Sequence, residues 1–181
     1  MYYFVMLFIL IISTVTLGDK KMPTPPNIKA FLEKIEQIES SGGQNTNHPV
    51  ITAPNAQQGT SAIGRYGLMP NTIKELVNRR RLRGTASPDM IELSQLPPDQ
   101  IKAKVEASPD LEDQFANDLA NHVIRKQGGD EDKAAYSWLQ GRNLQPDDIT
   151  PEQLNSSDYV NKFRRLGPMI NNFSGDDDSS Q

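Results

Sequence analysis

Cysteine is absent from this sequence, and tryptophan and histidine are scarce, with one and two in 181 residues. The first absence removes disulfides, thiolate metal sites and cysteine nucleophiles together. With His48 and His122 as the only histidines, a metal centre is not expected. An excess of positive charge is also lacking. The 19 Lys and Arg residues stand against 23 Asp and Glu, a net charge of -4. The chain as a whole therefore carries no basic footprint of the kind nucleic-acid binders leave.

Long hydrophobic runs are equally rare, and the single one opens the chain. "MYYFVMLFILIISTVTLG", residues 1–18, has an apolar core from Met1 to Ile12 followed by small and hydroxylated residues. Thr16 and Gly18 fit the small-residue pattern before a signal-peptide cleavage point. No Lys or Arg precedes the run, whereas Lys20 and Lys21 follow it. Taken alone, that asymmetry would keep the following chain on the cytoplasmic side. Signal peptide and membrane anchor both stand as readings of residues 1–18. Residues 19–26, "DKKMPTPP", form a polar linker, and 174–181, "SGDDDSSQ", an acidic tail with no apolar residue, expected to be disordered. A chain of this length suits one domain, placed at 27–173.

Within that domain nearly every segment has helix punctuation. Thr24 with Pro25 and Pro26 opens a first helix, on which Ile28, Phe31, Leu32, Ile35 and Ile38 share a face. Asn71 is the expected cap of "TIKELVNRRRL". Ser87 before Pro88, Ser108 before Pro109, Asp130, and Thr150 before Pro151 repeat the start signature. A long helix is expected over 109–126, ended by Gly128 and Gly129. Between the first two helices, Val50–Thr52 and Ser61–Ile63 flank the turn-rich "PNAQQG" as two short strands of a hairpin. The expected class is therefore an α-dominated α+β fold with a small β-hairpin. Phe115 and Trp138 are read as core residues rather than stacking platforms.

Glu39 departs from the pattern. It follows Ile35 by four residues and Leu32 by seven, so helical geometry sets it on or beside the apolar face, in the last turn before "SSGG". Partial burial and the negative end of the helix dipole both disfavour its ionised form, which suits a general acid near neutral pH.

"ESSGG" at 39–43, "GRYGLMP" at 64–70 and "AAYSW" at 134–138 resemble, in order and approximate spacing, the three signature segments of the lytic transglycosylases of the lysozyme-like superfamily. The resemblance spans about residues 27–145. It implies a lysozyme-like fold with the hairpin beside the catalytic helix. Glu39 would be the general acid and base, with Tyr136 hydrogen-bonded to it. Substrate would be contacted by Ser40 or Ser41, by a groove wall of Gly67, Leu68 and Met69, and by Ser137. Pro70 stands where the family has glutamine and Ser137 where it has asparagine. The insert between Gly43 and Gly64 is longer than in the simplest members and looks more like versions carried by bacteriophage particles.

The residues add a chemical point. No Asp or Glu occurs from Ser40 to Lys74, whereas a retaining glycosidase uses a second carboxylate roughly 5–5.5 Å from the first. Without one, the N-acetyl group of the sugar is left to stabilise the cationic centre. The expectation is a peptidoglycan lytic transglycosylase that cuts the MurNAc–GlcNAc β-1,4 bond with a 1,6-anhydro product and no cofactor. Were Asp130 or Asp132 to reach the groove, a hydrolytic muramidase (lysozyme) would result; an inactive glycan-binding or structural virion protein is the non-enzymatic alternative. Expected partners are peptidoglycan glycan strands, a membrane through residues 1–18 and other virion proteins, with no nucleic acid. The expected location is the periplasm or cell envelope, exported or membrane-anchored, or a phage virion. "NRRRLR" at 78–83 reads as a solvated helix end whose arginines offset the dipole, or as a contact for phosphate, nucleic acid or an anionic wall polymer.

Overall fold

The structure, a computed structural model, describes residues 27–51, 60–140 and 144–167. The leading segment 1–18, the linker 19–26 and the tail 174–181 lie outside the described residues, among which no helix is long and apolar enough to cross a membrane. The described chain is α-dominated, with eight helices and a single 3-10 turn at Pro146–Asp148.

The first helix, α1 (Ile28–Ser40), is capped by Asn27, whose side chain accepts from the Ala30 N–H at 3.1 Å; Thr24, the expected cap, is outside the described residues. Its apolar stripe is buried as its spacing requires, with Phe31 and Ile35 wholly inaccessible. Phe31 meets the edge of Trp138, with ring centroids 6.0 Å apart, and lies 5.3 Å from the ring of Phe163.

Proline opens α2 (Pro70–Leu82), α3 (Pro88–Gln95), α4 (Pro98–Glu106), α5 (Pro109–Lys126) and α7 (Pro151–Ser156). Its ring fixes φ at a helical value, and its missing N–H is one the first turn leaves unpaired anyway. Ser87 and Thr150 complete their starts by accepting from Met90 N and Gln153 N. At α2, Pro70 alone sets the start: Met69 is the cap position, and Asn71, the expected cap, lies inside the helix. Asp130 precedes α6 (Glu131–Gln140) and accepts from Lys133 N at 3.0 Å. The last helix, α8 (Asp158–Arg165), was not foreseen from the sequence; Ser157 caps it. α1 packs on α5 and α8, and α6 joins α5 to α8. The main core runs through all of these, with Phe115, Ile124, Ala134 and Phe163 at its centre.

The expected hairpin is reduced. Among the described residues no strand forms, and β-structure is limited to two isolated antiparallel bridges, Val50 with Ser61 and Ile63 with Leu68. Pro49 has no N–H to extend the first pairing past Val50. On the other side the chain turns sharply after Ile63, so that Ile63 exchanges both backbone bonds with Leu68, at 2.8 and 3.1 Å. The turn "PNAQQG" falls within 52–59, outside the described residues.

Candidate active site

The site begins with a buried carboxylate that does no visible chemistry. Glu112, in the first turns of α5, is 5% exposed. It accepts from the backbone N–H groups of Arg65 at 2.6 Å and Tyr66 at 3.2 Å. Burial pushes its pKa up, and these backbone bonds oppose the shift. Gly64, at φ +62°, leans so close to this carboxylate that any Cβ would overlap it. The Arg65 side chain then ties the loop to both neighbouring helices, pairing with Asp113 at 2.5 Å on α5 and Glu36 at 3.6 Å on α1. His48 Nε2 donates to the Gly64 carbonyl at 2.7 Å, and Trp138 Nε1 donates to the Tyr66 carbonyl at 3.3 Å. The segment 64–67 is thus fixed from four sides before it meets Glu39.

Glu39 ends α1 against that loop. Oε2 lies under Gly67, whose φ is +63°; a Cβ at that residue would stand 2.6 Å from the oxygen. Oε1 accepts from the Tyr159 hydroxyl at 2.8 Å. Desolvation pushes the Glu39 pKa above the usual carboxylate value, while the Tyr159 hydrogen bond and the nearby His48 pull the other way. Burial and the adjacent Glu39 push the Tyr159 phenol well above its ordinary value, so it remains a hydrogen-bond donor. The outcome is a partly buried carboxyl group whose neutral form burial favours, held by one oxygen and close-packed at the other.

Glu39 opens into a groove of about 290 Å³. Gly67, Leu68 and Met69 line it, and so does Ser137. The hydroxyl of Ser137, however, accepts from Gln127 Nε2 at 3.0 Å in a buried setting. Ser40 and Ser41 are not among the lining residues. The Ser40 hydroxyl is turned inward, donating to the Glu36 carbonyl at 2.9 Å and accepting from Gly43 N at 2.8 Å, so it closes the helix rather than meeting a ligand. Ser41 supplies the left-handed cap at φ 55°. The hydroxyl that reaches Glu39 belongs to Tyr159, not to Tyr136. Tyr136 points to the opposite side of α6, where it packs on the small cluster of Ile149, Leu154 and Val160.

Two features around Glu39 and its groove escaped the sequence reading. Tyr159 lies 120 residues from Glu39, on a helix of only 8 residues, and the high polarity of α8 around Val160 and Phe163 was the one signal available. The other is Glu75, one position past the acid-free stretch, which lines the groove from α2. Its Oε1 accepts from both Nε and Nη2 of Arg79, at 3.0 and 2.5 Å, and Arg79 Nη1 is 3.0 Å from His122 Nδ1. Asp130 and Asp132 are used elsewhere: Asp130 at the start of α6, and Asp132 on Arg164 at 2.8 Å. Among the described residues no group of three or more His, Asp or Glu side chains is placed to hold a metal ion. No family model, no curated protein and no solved structure matches this chain.

Proposed function

We propose that the protein is a peptidoglycan lytic transglycosylase with a lysozyme-like arrangement of its helices. The observation that carries this reading is Glu39: a desolvated carboxyl in the last turn of α1, fixed between Tyr159 and Gly67, facing an open groove. Protonated Glu39 gives its proton to the glycosidic oxygen as the bond to C1 breaks. The acetamido oxygen of the muramoyl unit supports the positive charge at C1. Glu39, now a carboxylate, takes the proton of the 6-hydroxyl as that oxygen bonds to C1, releasing the 1,6-anhydro sugar and restoring the acid. Tyr159 stabilises the carboxylate stage of this cycle, and burial favours the acid stage. Phage-borne opening of a cell wall during entry or release is the setting we infer, on the likeness of the 43–64 insert.

Glu75 favours a second reading, hydrolysis, because it is a second carboxylate in the same groove. Against it stands Arg79, which already holds its Oε1 with two donors. Digestion of purified sacculi by the full chain tests the proposal, with Glu39→Gln abolishing release. Mass spectrometry separates the readings: anhydro ends are lighter than reducing ends by one water.

A further inference from the structure

A second cavity, of about 480 Å³, lies between the C-terminal ends of α2 and α5 and adjoins the groove, since Leu76, Arg79 and His122 line both. Its charged lining is Arg79, Arg80, Arg83, Arg125 and Lys126, with Asp118 the one acid. In a chain of net charge -4 this is a strong local reversal. Complementing the helix ends does not account for all of it, because each terminus carries only about half a negative charge. Arg80 is paired with Asp118 and Arg79 with Glu75. Arg83 and Arg125 are exposed and make no ion pair among the described residues. Four of the five cations are arginines, whose planar donor fork suits carboxylate and phosphate oxygens two at a time.

The cavity is within the roughly 300–1,000 Å³ range of small-ligand sites, enough for a short peptide. A nucleic-acid duplex would reach it only with backbone phosphates. Resting on the proposed glycan groove, the position is informative: each muramoyl unit carries a peptide with free carboxylates, and Arg79 stands on the wall that the groove shares with the basic cavity. We propose that the basic cavity between α2 and α5 binds the carboxylates of the peptide stem on the glycan strand, so that the enzyme selects stem-bearing over stripped glycan.

The test uses the full chain and two arms. In the first, calorimetry follows a soluble muramoyl-pentapeptide binding to wild type and to Arg83→Ala/Arg125→Ala. Loss of charge-assisted contacts should weaken binding on the order of tenfold. A charge-reversed pair, Arg83→Glu/Arg125→Glu, should weaken it further; both positions are exposed, and a melting curve checks that each variant folds. In the second arm, the ratio of kcat/KM on stem-bearing and amidase-stripped glycan strands is measured, and the double variants should bring it toward one. No binding of the pentapeptide, or equal binding by all three proteins, overturns the proposal, as does tighter, steeply salt-dependent binding of a short DNA duplex at the same arginines. Binding of the stem without cleavage of either glycan would uphold the cavity's assignment and reject the transglycosylase reading, so the two failures are distinct.

Discussion

The close approach of Gly67 to Glu39 gives the sharpest prediction. In Gly67→Ala the new Cβ would fall 2.6 Å from Glu39 Oε2 and 2.9 Å from Cδ. Ordinary contact starts at 3.4 Å, so the carboxylate must retreat by roughly 0.8 Å, the difference between 3.4 and 2.6 Å. Retreat strains the 2.8 Å bond from Tyr159, which anchors the other oxygen. A displacement of about 1 Å at a reacting group is worth on the order of a hundredfold in rate, so release of anhydro-muropeptides should drop by about that factor. The left-handed backbone adds about 1–2 kcal/mol of strain for any residue with a Cβ. For a chain of this size that lowers the melting temperature by roughly 2–8 °C. Gly84→Ala separates the two causes: φ there is +70°, but nothing lies within 4 Å of the built Cβ. It should show the thermal loss and keep its rate. A Gly67→Ala protein that cleaves glycan at the wild-type rate, or a Gly84→Ala protein equally impaired, would refute the close-packed carboxylate.

Glu39→Gln should be inactive yet more stable than wild type at neutral pH. Because burial raises the folded-state pKa, the ionised acid costs stability as pH rises from the ordinary value of 4.5 through the folded value, so urea midpoints of the two proteins should coincide in acid and diverge above it. Tyr159→Phe removes a bond that lowers the Glu39 pKa, and should move the alkaline limb of the pH–rate profile upward, whereas Tyr136→Phe should leave that limb in place. Glu112→Ala leaves two buried backbone N–H groups without their acceptor and should cost about 3 kcal/mol in chemical denaturation, with loss of activity as the 64–67 loop loosens.

Much of the helical framework was legible because its signals are local. Pro88, Pro109 and Pro151 restrict φ wherever they occur, and Ser87 and Thr150 need only the next three residues to act as caps. Glu39 was legible for the same reason, since the spacing of Phe31, Leu32 and Ile35 fixes its angular position on α1. Tyr159 and Glu112 were not, because each gains its meaning from a partner 120 or 47 residues away. Among the described residues the expected hairpin is reduced to the single Val50–Ser61 bridge for a related reason. Ser61–Ile63 has strand-like composition, but Lys102 Nζ donates to the Ala62 carbonyl at 2.8 Å and Leu68 takes both backbone groups of Ile63, so tertiary bonds replace the ladder.

Glu75 shows how the two cavities constrain each other. The stretch after Glu39 that lacks Asp and Glu ends at Lys74, and α2 carries the next residue, Glu75, to the groove wall. Whether that carboxylate takes part depends on Arg79, which binds it from the shared wall of the basic cavity. The same guanidinium cannot give its Nη2 fully to Glu75 and to an incoming stem carboxylate. Occupation of the cavity therefore competes with the clamp on Glu75, whereas Glu39, held by Tyr159 and Gly67 on the far helix, is untouched by the exchange. The acid is fixed by packing, and the second carboxylate is governed by charge, so salt and stem content should alter the role of Glu75 while leaving that of Glu39 unchanged.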